Sequence, residues 1–113
     1  MRVIFYKTAS GREPVKDYFE KLSVLDRVRI AEDIEIIEDC NSIEELKTCP
    51  VNVKPLQGKL WEIKTGHGNQ QRVYYVIISG LQMVLLHACK KQSQKAAQRD
   101  IETGMKRMME VLS

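Results

Sequence analysis

Apolar positions along this chain switch between a period of two and a period near 3.6, and each switch marks a predicted element. Arg2-Val-Ile-Phe-Tyr-Lys7 is β-branched and aromatic and reads as a first strand, closed by Ser10-Gly11. Pro14 suits the first turn of a helix, where its missing N–H is not needed. Val15, Tyr18, Phe19 and Leu22 then fall on one helical face. Ser23 with Asp26 three residues on resembles a capping box and opens a second helix. Its apolar set is Leu25, Val28, Ala31, Ile34 and Ile37, with Val24 and Ile30 beside it; Arg27, Arg29, Glu32, Asp33, Glu35, Glu38 and Asp39 form the other side. Two helices with almost nothing between them predict a helical hairpin. Ser42 and Glu45 repeat the cap signal on a short turn that buries Ile43 and Leu46 and stops at Pro50.

The second half turns to strand patterns. Val53-Lys-Pro-Leu56 is short, and its proline points to an edge. In Leu60 to Thr65, Trp61 and Ile63 point one way and Glu62 and Lys64 the other. Gly66-His67-Gly68-Asn69 reads as a turn. From Gln71 to Ile78, Arg72, Tyr74 and Val76 share one face, while Val73, Tyr75 and Ile77 share the opposite one. Ser79-Gly80 reads as a two-residue hairpin turn. Leu81 to Cys89 is apolar on both faces, as a covered central strand should be. From about Ala96 the period returns to helical, with Ala97, Ile101, Met105, Met108 and Leu112 on one side and Gly104 as a weak point. The expected fold is α+β, one domain over residues 1–113: a mainly antiparallel twisted sheet, the N-terminal helical hairpin on one face and the C-terminal helix nearby. The concave opposite face is expected to hold Lys54, Arg72 and Lys91.

Composition adds a soluble protein of ordinary make-up, 43% hydrophobic and 29% charged. No apolar run reaches the roughly 20 residues of a membrane span, and the first residues are too short for a signal-peptide core. Cys40, Cys49 and Cys89 are odd in number and lack metal-ligand spacing. The expectation is therefore a cytoplasmic protein with idle thiols, no metal site, no cofactor and no membrane partner. Charge changes the picture more. Residues 53–99 carry eight Lys/Arg against a single acidic residue, Glu62, whereas residues 1–52 carry eight against eleven. A cationic segment made of strands fits a polyanion such as RNA.

Walker, dinucleotide, nucleophile-elbow and kinase motifs are absent. What remains is a set of cations on strands: Lys54, Lys59, Lys64, Arg72, Lys90, Lys91 and Lys95, with His67 and His87. Such a set suits chemistry on an RNA phosphodiester. RNA brings its own nucleophile, the 2′-OH; the protein must supply a base, an acid for the leaving 5′-oxygen and fixed positive charge. Arginine keeps its charge and grips two phosphate oxygens, and a lysine packed among cations has a lowered pKa.

The run Lys54-Pro-Leu-Gln-Gly58-Lys-Leu60-Trp61-Glu62-Ile63-Lys64, then Arg72-Val-Tyr-Tyr, then Leu85-Leu86-His87 with its lysines, and Ile101-Glu102, resembles the RelE/HigB toxin superfamily, in particular its phage-derived HigB-like subgroup. The resemblance implies the toxin component of a type II toxin–antitoxin system: a metal-independent, ribosome-dependent endoribonuclease that cuts mRNA in the A site. It implies a cognate antitoxin, usually a helix-turn-helix protein, with operator DNA reached only through that antitoxin. By position it implies Arg72, Lys91 and Lys54 as catalytic residues. Lys90, Lys95, Lys64, Tyr74 and His87 are expected to contact RNA. The chain departs from the subgroup after His87, where Ala88, Cys89, Gln92 and Ala97 replace glycine, an aromatic residue, lysine and proline of the usual pattern. That departure motivates the alternative, a RelE-fold protein that binds antitoxin, RNA or ribosome without cleavage. A metal-dependent nuclease is a third reading, opposed by the scarcity of acidic residues in 53–99.

Overall fold

A computed structural model describes residues 1–92 and 96–113. In chain order the elements are β1 (Arg2–Phe5), α1 (Pro14–Glu20), α2 (Val24–Glu38), α3 (Ile43–Thr48), β2 (Asn52–Gln57), β3 (Leu60–Thr65), a short 3₁₀ turn (His67–Asn69), β4 (Gln71–Ile78), β5 (Gln82–Lys90) and α4 (Gln98–Leu112). The strands form one sheet in the order β1-β5-β4-β3-β2. The pairings β2–β3, β3–β4 and β4–β5 are antiparallel, and only β1 lies parallel to its neighbour β5. The fold is thus the expected α+β arrangement. No described helix is long and apolar enough to cross a membrane.

Local chemistry accounts for the helix starts. Pro14 occupies the first turn of α1. The Ser23 hydroxyl accepts the Asp26 N–H at 3.2 Å, and Ser42 accepts the Glu45 N–H at 3.1 Å, each satisfying a donor that the helix leaves open. β5 lies between β1 and β4, which explains its apolar residues on both faces: Met83, Val84, Leu85 and Leu86 are all buried. β2 is an edge strand, where Pro55 costs no ladder bond to a further strand.

Two cores follow from the two faces. On one, α1 and α2 bury Val15, Phe19, Ile30 and Ile37 against Ile63, Val73, Tyr75, Met83 and Leu85. On the other, α4 covers Leu60, Tyr74, Val76, Val84 and Leu86 with Met108. Full burial of side chains of this size contributes about 1.5–3 kcal/mol each, so both helical layers are held chiefly by apolar packing. Trp61 belongs to the hairpin side, half-buried with the Lys47 ammonium 5.5 Å from its ring centroid. Gly104 lets α4 approach closely: a Cβ there would sit 3.2 Å from Leu60 Cδ2 and from Tyr74 Cδ2.

Three details differ from the periodicity reading. In α2, Val24, Leu25 and Val28 are exposed, at 63%, 63% and 51%. The helix instead turns Asp26, Ile30, Asp33 and Ile37 inward. Asp26 Oδ1 accepts the His67 N–H at 2.9 Å, and Asp33 accepts the Thr65 hydroxyl at 2.6 Å. Two carboxylates, Asp33 buried and Asp26 half-buried, thus occupy the inward stripe because the end of β3 and the turn after it offer them donors, and the apolar residues of the first turns rotate outward. In α4, Leu112 is 42% exposed and Val111 packs in its place. The β4–β5 connection spans Ser79–Leu81 rather than two residues, with Ile78 paired to Gln82 and both Gly80 and Leu81 at positive φ.

Candidate active site

Sheet register assembles the site. On the face shared with α4, Lys54 is paired with Glu62, Glu62 with Tyr74, and Tyr74 with His87. The neighbouring row pairs Asn52 with Lys64, Lys64 with Arg72, and Arg72 with Cys89. Directly opposed residues place their Cβ atoms about 4.5–5.5 Å apart on the same face, so the four strands deliver these side chains as a compact grid. Lys91 follows β5 and is fixed by its N–H, which donates to the Gln70 carbonyl at 2.7 Å.

A β-bulge decides what β5 contributes. Tyr75 pairs with Leu85, but Tyr74 pairs with His87, which leaves Leu86 as the extra residue. Strict alternation from Leu85 would send His87 to the hairpin face. With the bulge, Leu86 and His87 both join the α4 face: Leu86 is buried beside Tyr74, and the His87 ring lies 5.7 Å from the Tyr74 ring. Cys89 follows on the same face, packed against that core.

The resulting cleft is walled by Lys54, Lys64, Arg72 and Lys91, with Glu62 and Tyr74 in its floor and Asp100 of α4 on the far side. Glu62 is the focus of its electrostatics. It is 3% exposed, with Lys54 Nζ 3.7 Å and Arg72 Nε 3.9 Å from Oε1. Both distances exceed a hydrogen bond. Glu62 Oε1 has no hydrogen-bond partner among the described residues. The carboxylate therefore draws the cations together by charge without tying them down. Arg72 is held from behind, donating to the carbonyls of Asn69 at 2.6 Å and Gln71 at 3.2 Å. The turn that supplies Asn69 depends on Gly66, whose φ is +79° and whose added Cβ would fall 2.6 Å from Gln71 Cγ.

Titration follows from these neighbours. Lys64 is shifted below the ordinary lysine value, first by the ammonium of Lys54, then by desolvation and Arg72, with Glu62 opposing. Burial pushes the Tyr74 phenol upward, and Cys89 Sγ lies 4.0 Å from its hydroxyl. Burial and then the Asp100 carboxylate push the Cys89 thiol up to about 11.

The structure brings Lys54, Lys64, Arg72 and Lys91 to one cleft. Lys90 borders it, although its register partner Gln71 faces the hairpin side, where the Tyr18 hydroxyl donates to Gln71 Oε1 at 2.6 Å. Tyr74 differs from the expected RNA contact: at 1% exposure its ring is a core residue beneath α4, because the helix approaches over Gly104 and covers it. His87 turns to Asp100 rather than to the cleft, its Nε2 2.8 Å from Asp100 Oδ1. His67 and Lys59 are exposed, His67 on the 3₁₀ turn and Lys59 between β2 and β3. Lys95 lies outside the described residues.

Two acidic residues join the site that sequence reasoning had not given a role. Glu62 carried a visible signal, as the single acidic residue of 53–99 on the strand face of Lys64. Asp100 carried none, since it meets His87 only once α4 folds back across the sheet.

The family described as Phage derived protein Gp49-like (DUF891) matches residues 17–109. No curated protein matches the chain.

Proposed function

The chain belongs to the phage-derived Gp49-like family, and from that premise we propose that it is a RelE/HigB-type toxin, a cytoplasmic endoribonuclease that cuts mRNA on the ribosome. The observation that carries this reading is the convergence of Lys54, Lys64, Arg72 and Lys91 on one cleft above a buried Glu62, whose Oε1 has no hydrogen-bond partner among the described residues. Four cations around one carboxylate leave a net positive hollow, which suits a phosphodiester. In the proposed reaction Arg72 holds the non-bridging oxygens of the scissile phosphate and stabilises the charge that builds there. A basic side chain of the cleft removes the 2′-OH proton. The 2′-oxygen attacks phosphorus, the P–O5′ bond breaks, and the departing 5′-oxygen takes a proton from a neighbouring ammonium. The products are a 2′,3′-cyclic phosphate and a free 5′-OH, so no metal or external nucleophile enters. Lys64, whose pKa the neighbouring Lys54 lowers, is a candidate for the proton exchange, with Lys54 and Lys91 placing the phosphate. A helix-turn-helix antitoxin is the proposed neutralising partner, and through it operator DNA.

The test is mapping of mRNA 5′ ends after induction, comparing wild type with Arg72→Ala. Loss of one such charge-stabilising group is worth about 10²–10³ in rate, so cleavage should fall below detection in the variant. Equal and background-level ends in both would refute the nuclease reading.

One observation favours a second reading. Arg72 is 12% exposed and already bonded to two backbone carbonyls, as a structural arginine would be. On that reading the protein binds RNA, ribosome or antitoxin without cutting. Co-sedimentation with ribosomes that is unaffected by Arg72→Ala, with no new mRNA ends, would then be observed.

A further inference from the structure

A second cluster of chemically capable side chains sits beside the cationic cleft and plays no part in the proposed reaction. His87 and Cys89 are two residues apart on β5, so both project to the α4 face, and Asp100 comes from the first turn of α4. One ligand atom from each, an imidazole nitrogen, the thiol sulfur and a carboxylate oxygen, lie within 4.8 Å of one another. His87 Nε2 and Asp100 Oδ1 are already 2.8 Å apart, with side chains 17% and 13% exposed. None of the three is fully exposed, so this is not a chance grouping of surface acids.

We propose that His87, Cys89 and Asp100 form a binding site for a soft divalent cation of the Zn²⁺ class, with water in the fourth position. Occupancy would clamp the first turn of α4 to the end of β5. The donor set argues for the class: sulfur and imidazole favour Zn²⁺ over the hard cations Mg²⁺ and Ca²⁺, which prefer oxygen alone. Size agrees too. Zinc bonds of about 2.0–2.3 Å in a tetrahedron put ligand atoms roughly 3.3–3.6 Å apart. The imidazole–carboxylate pair has to open by about half an ångström, and the thiol has to close in from separations of up to 4.8 Å, to reach that spacing, shifts that side-chain rotation can supply. The adjacent lysines and Arg72 oppose a cation. The Asp100 carboxylate, the thiolate formed on binding and the buried Glu62 offset them. Three protein ligands with an open position describe a site that takes metal reversibly. The proposal does not depend on whether the protein cleaves RNA.

The experiment uses the purified full chain and metal alone. Co²⁺ should give visible ligand-field bands and a near-ultraviolet sulfur-to-metal band, saturating at one ion per chain and displaced by Zn²⁺. Zn²⁺ at a hundredfold excess over its Kd should raise Tm by roughly 10 °C. Both responses should disappear in Cys89→Ser and persist in Cys49→Ser. Asp100→Asn, which keeps the side-chain shape, should weaken Co²⁺ binding by tenfold or more. The wild-type titration stands whether or not a variant folds: absence of the sulfur-to-metal band at millimolar Co²⁺ overturns the site. A band that survives Cys89→Ser and is lost in Cys49→Ser overturns it as well, by moving the metal to the other cysteines.

Discussion

Gly104→Ala separates close packing from helix propensity, because the two predict opposite signs. Alanine in a helix interior is favoured over glycine by about 0.8–1.0 kcal/mol. On propensity alone the substitution should stabilise α4. The added methyl, however, would lie 3.2 Å from Leu60 Cδ2 and 3.2 Å from Tyr74 Cδ2, inside the roughly 3.5–4.0 Å optimum for carbon contacts. Neither neighbour has room to yield: Leu60 is 0% and Tyr74 1% exposed. Overpacking of this kind costs about 1–3 kcal/mol. The balance is a net loss of roughly 1 kcal/mol, a drop in Tm of roughly 4–8 °C for a chain of this size. Thermal denaturation followed by circular dichroism measures it. A cycle with Leu60→Val, which removes the δ-methyls that make the contact, sharpens it. In that background Gly104→Ala should cost less, with only the Tyr74 contact remaining, giving a coupling of about 0.5 kcal/mol or more. If Gly104→Ala melts at or above the wild type, α4 can lift away from β3 and β4, and the account of Tyr74 as sealed beneath the helix is wrong.

Two further predictions concern titration. All four tyrosines sit above the ordinary phenol value, Tyr6 first through its hydrogen bond to Glu110 and Tyr18, Tyr74 and Tyr75 first through burial. A raised phenol favours the neutral form in the fold, so its contribution is complete below about pH 10, the unfolded value, and is lost as pH climbs through the folded values. Phenolate absorbance from the buried Tyr74 and Tyr75 should thus appear only with alkaline unfolding, and ionisation of all four phenols near pH 10 with native circular dichroism would refute this. Lys54→Met removes the largest cause of the low Lys64 value, so Lys64 should titrate closer to an ordinary lysine. Side-chain NMR reads this directly, and a Lys64 value that stays put or falls further contradicts the assigned cause.

Strand alternation made much of this molecule legible. The opposite directions of Trp61 and Glu62, the shared face of Arg72 and Tyr74, and the central place of the doubly apolar β5 all follow from period two and appear in the sheet. The cap signals at Ser23 and Ser42 are local chemistry and held for the same reason. What stayed hidden needed a neighbour to be seen. The inward stripe of α2 runs through Asp33, which periodicity reads as solvent-facing, and Asp26, which the sequence offers only as a cap partner; donors from Thr65 and His67 make that orientation favourable. Gly104 scored as a weak helix residue until Leu60 and Tyr74 lay against it. Asp100 became a site residue only through α4's return to β5. The cationic residues were readable as a set, but the carboxylate beneath them was passed over as a charge on the polar face of a strand.

The unmatched residue of β5, Leu86, has the last consequence. Side-chain direction along β5 is a two-state variable, and this residue flips it once, four positions before Lys90, the first of the cations. Pairing the same residues without the bulge, Leu86 opposite Tyr74, would leave the upstream strand untouched and invert everything after Leu86. Ala88 would enter the cleft, and His87 and Cys89 would turn toward the helical hairpin. The chemistry of the far end of β5 is thus encoded less in the identity of its residues than in the register that the bulge imposes, and a one-residue slip there would erase the site while the apolar core above it stayed in place.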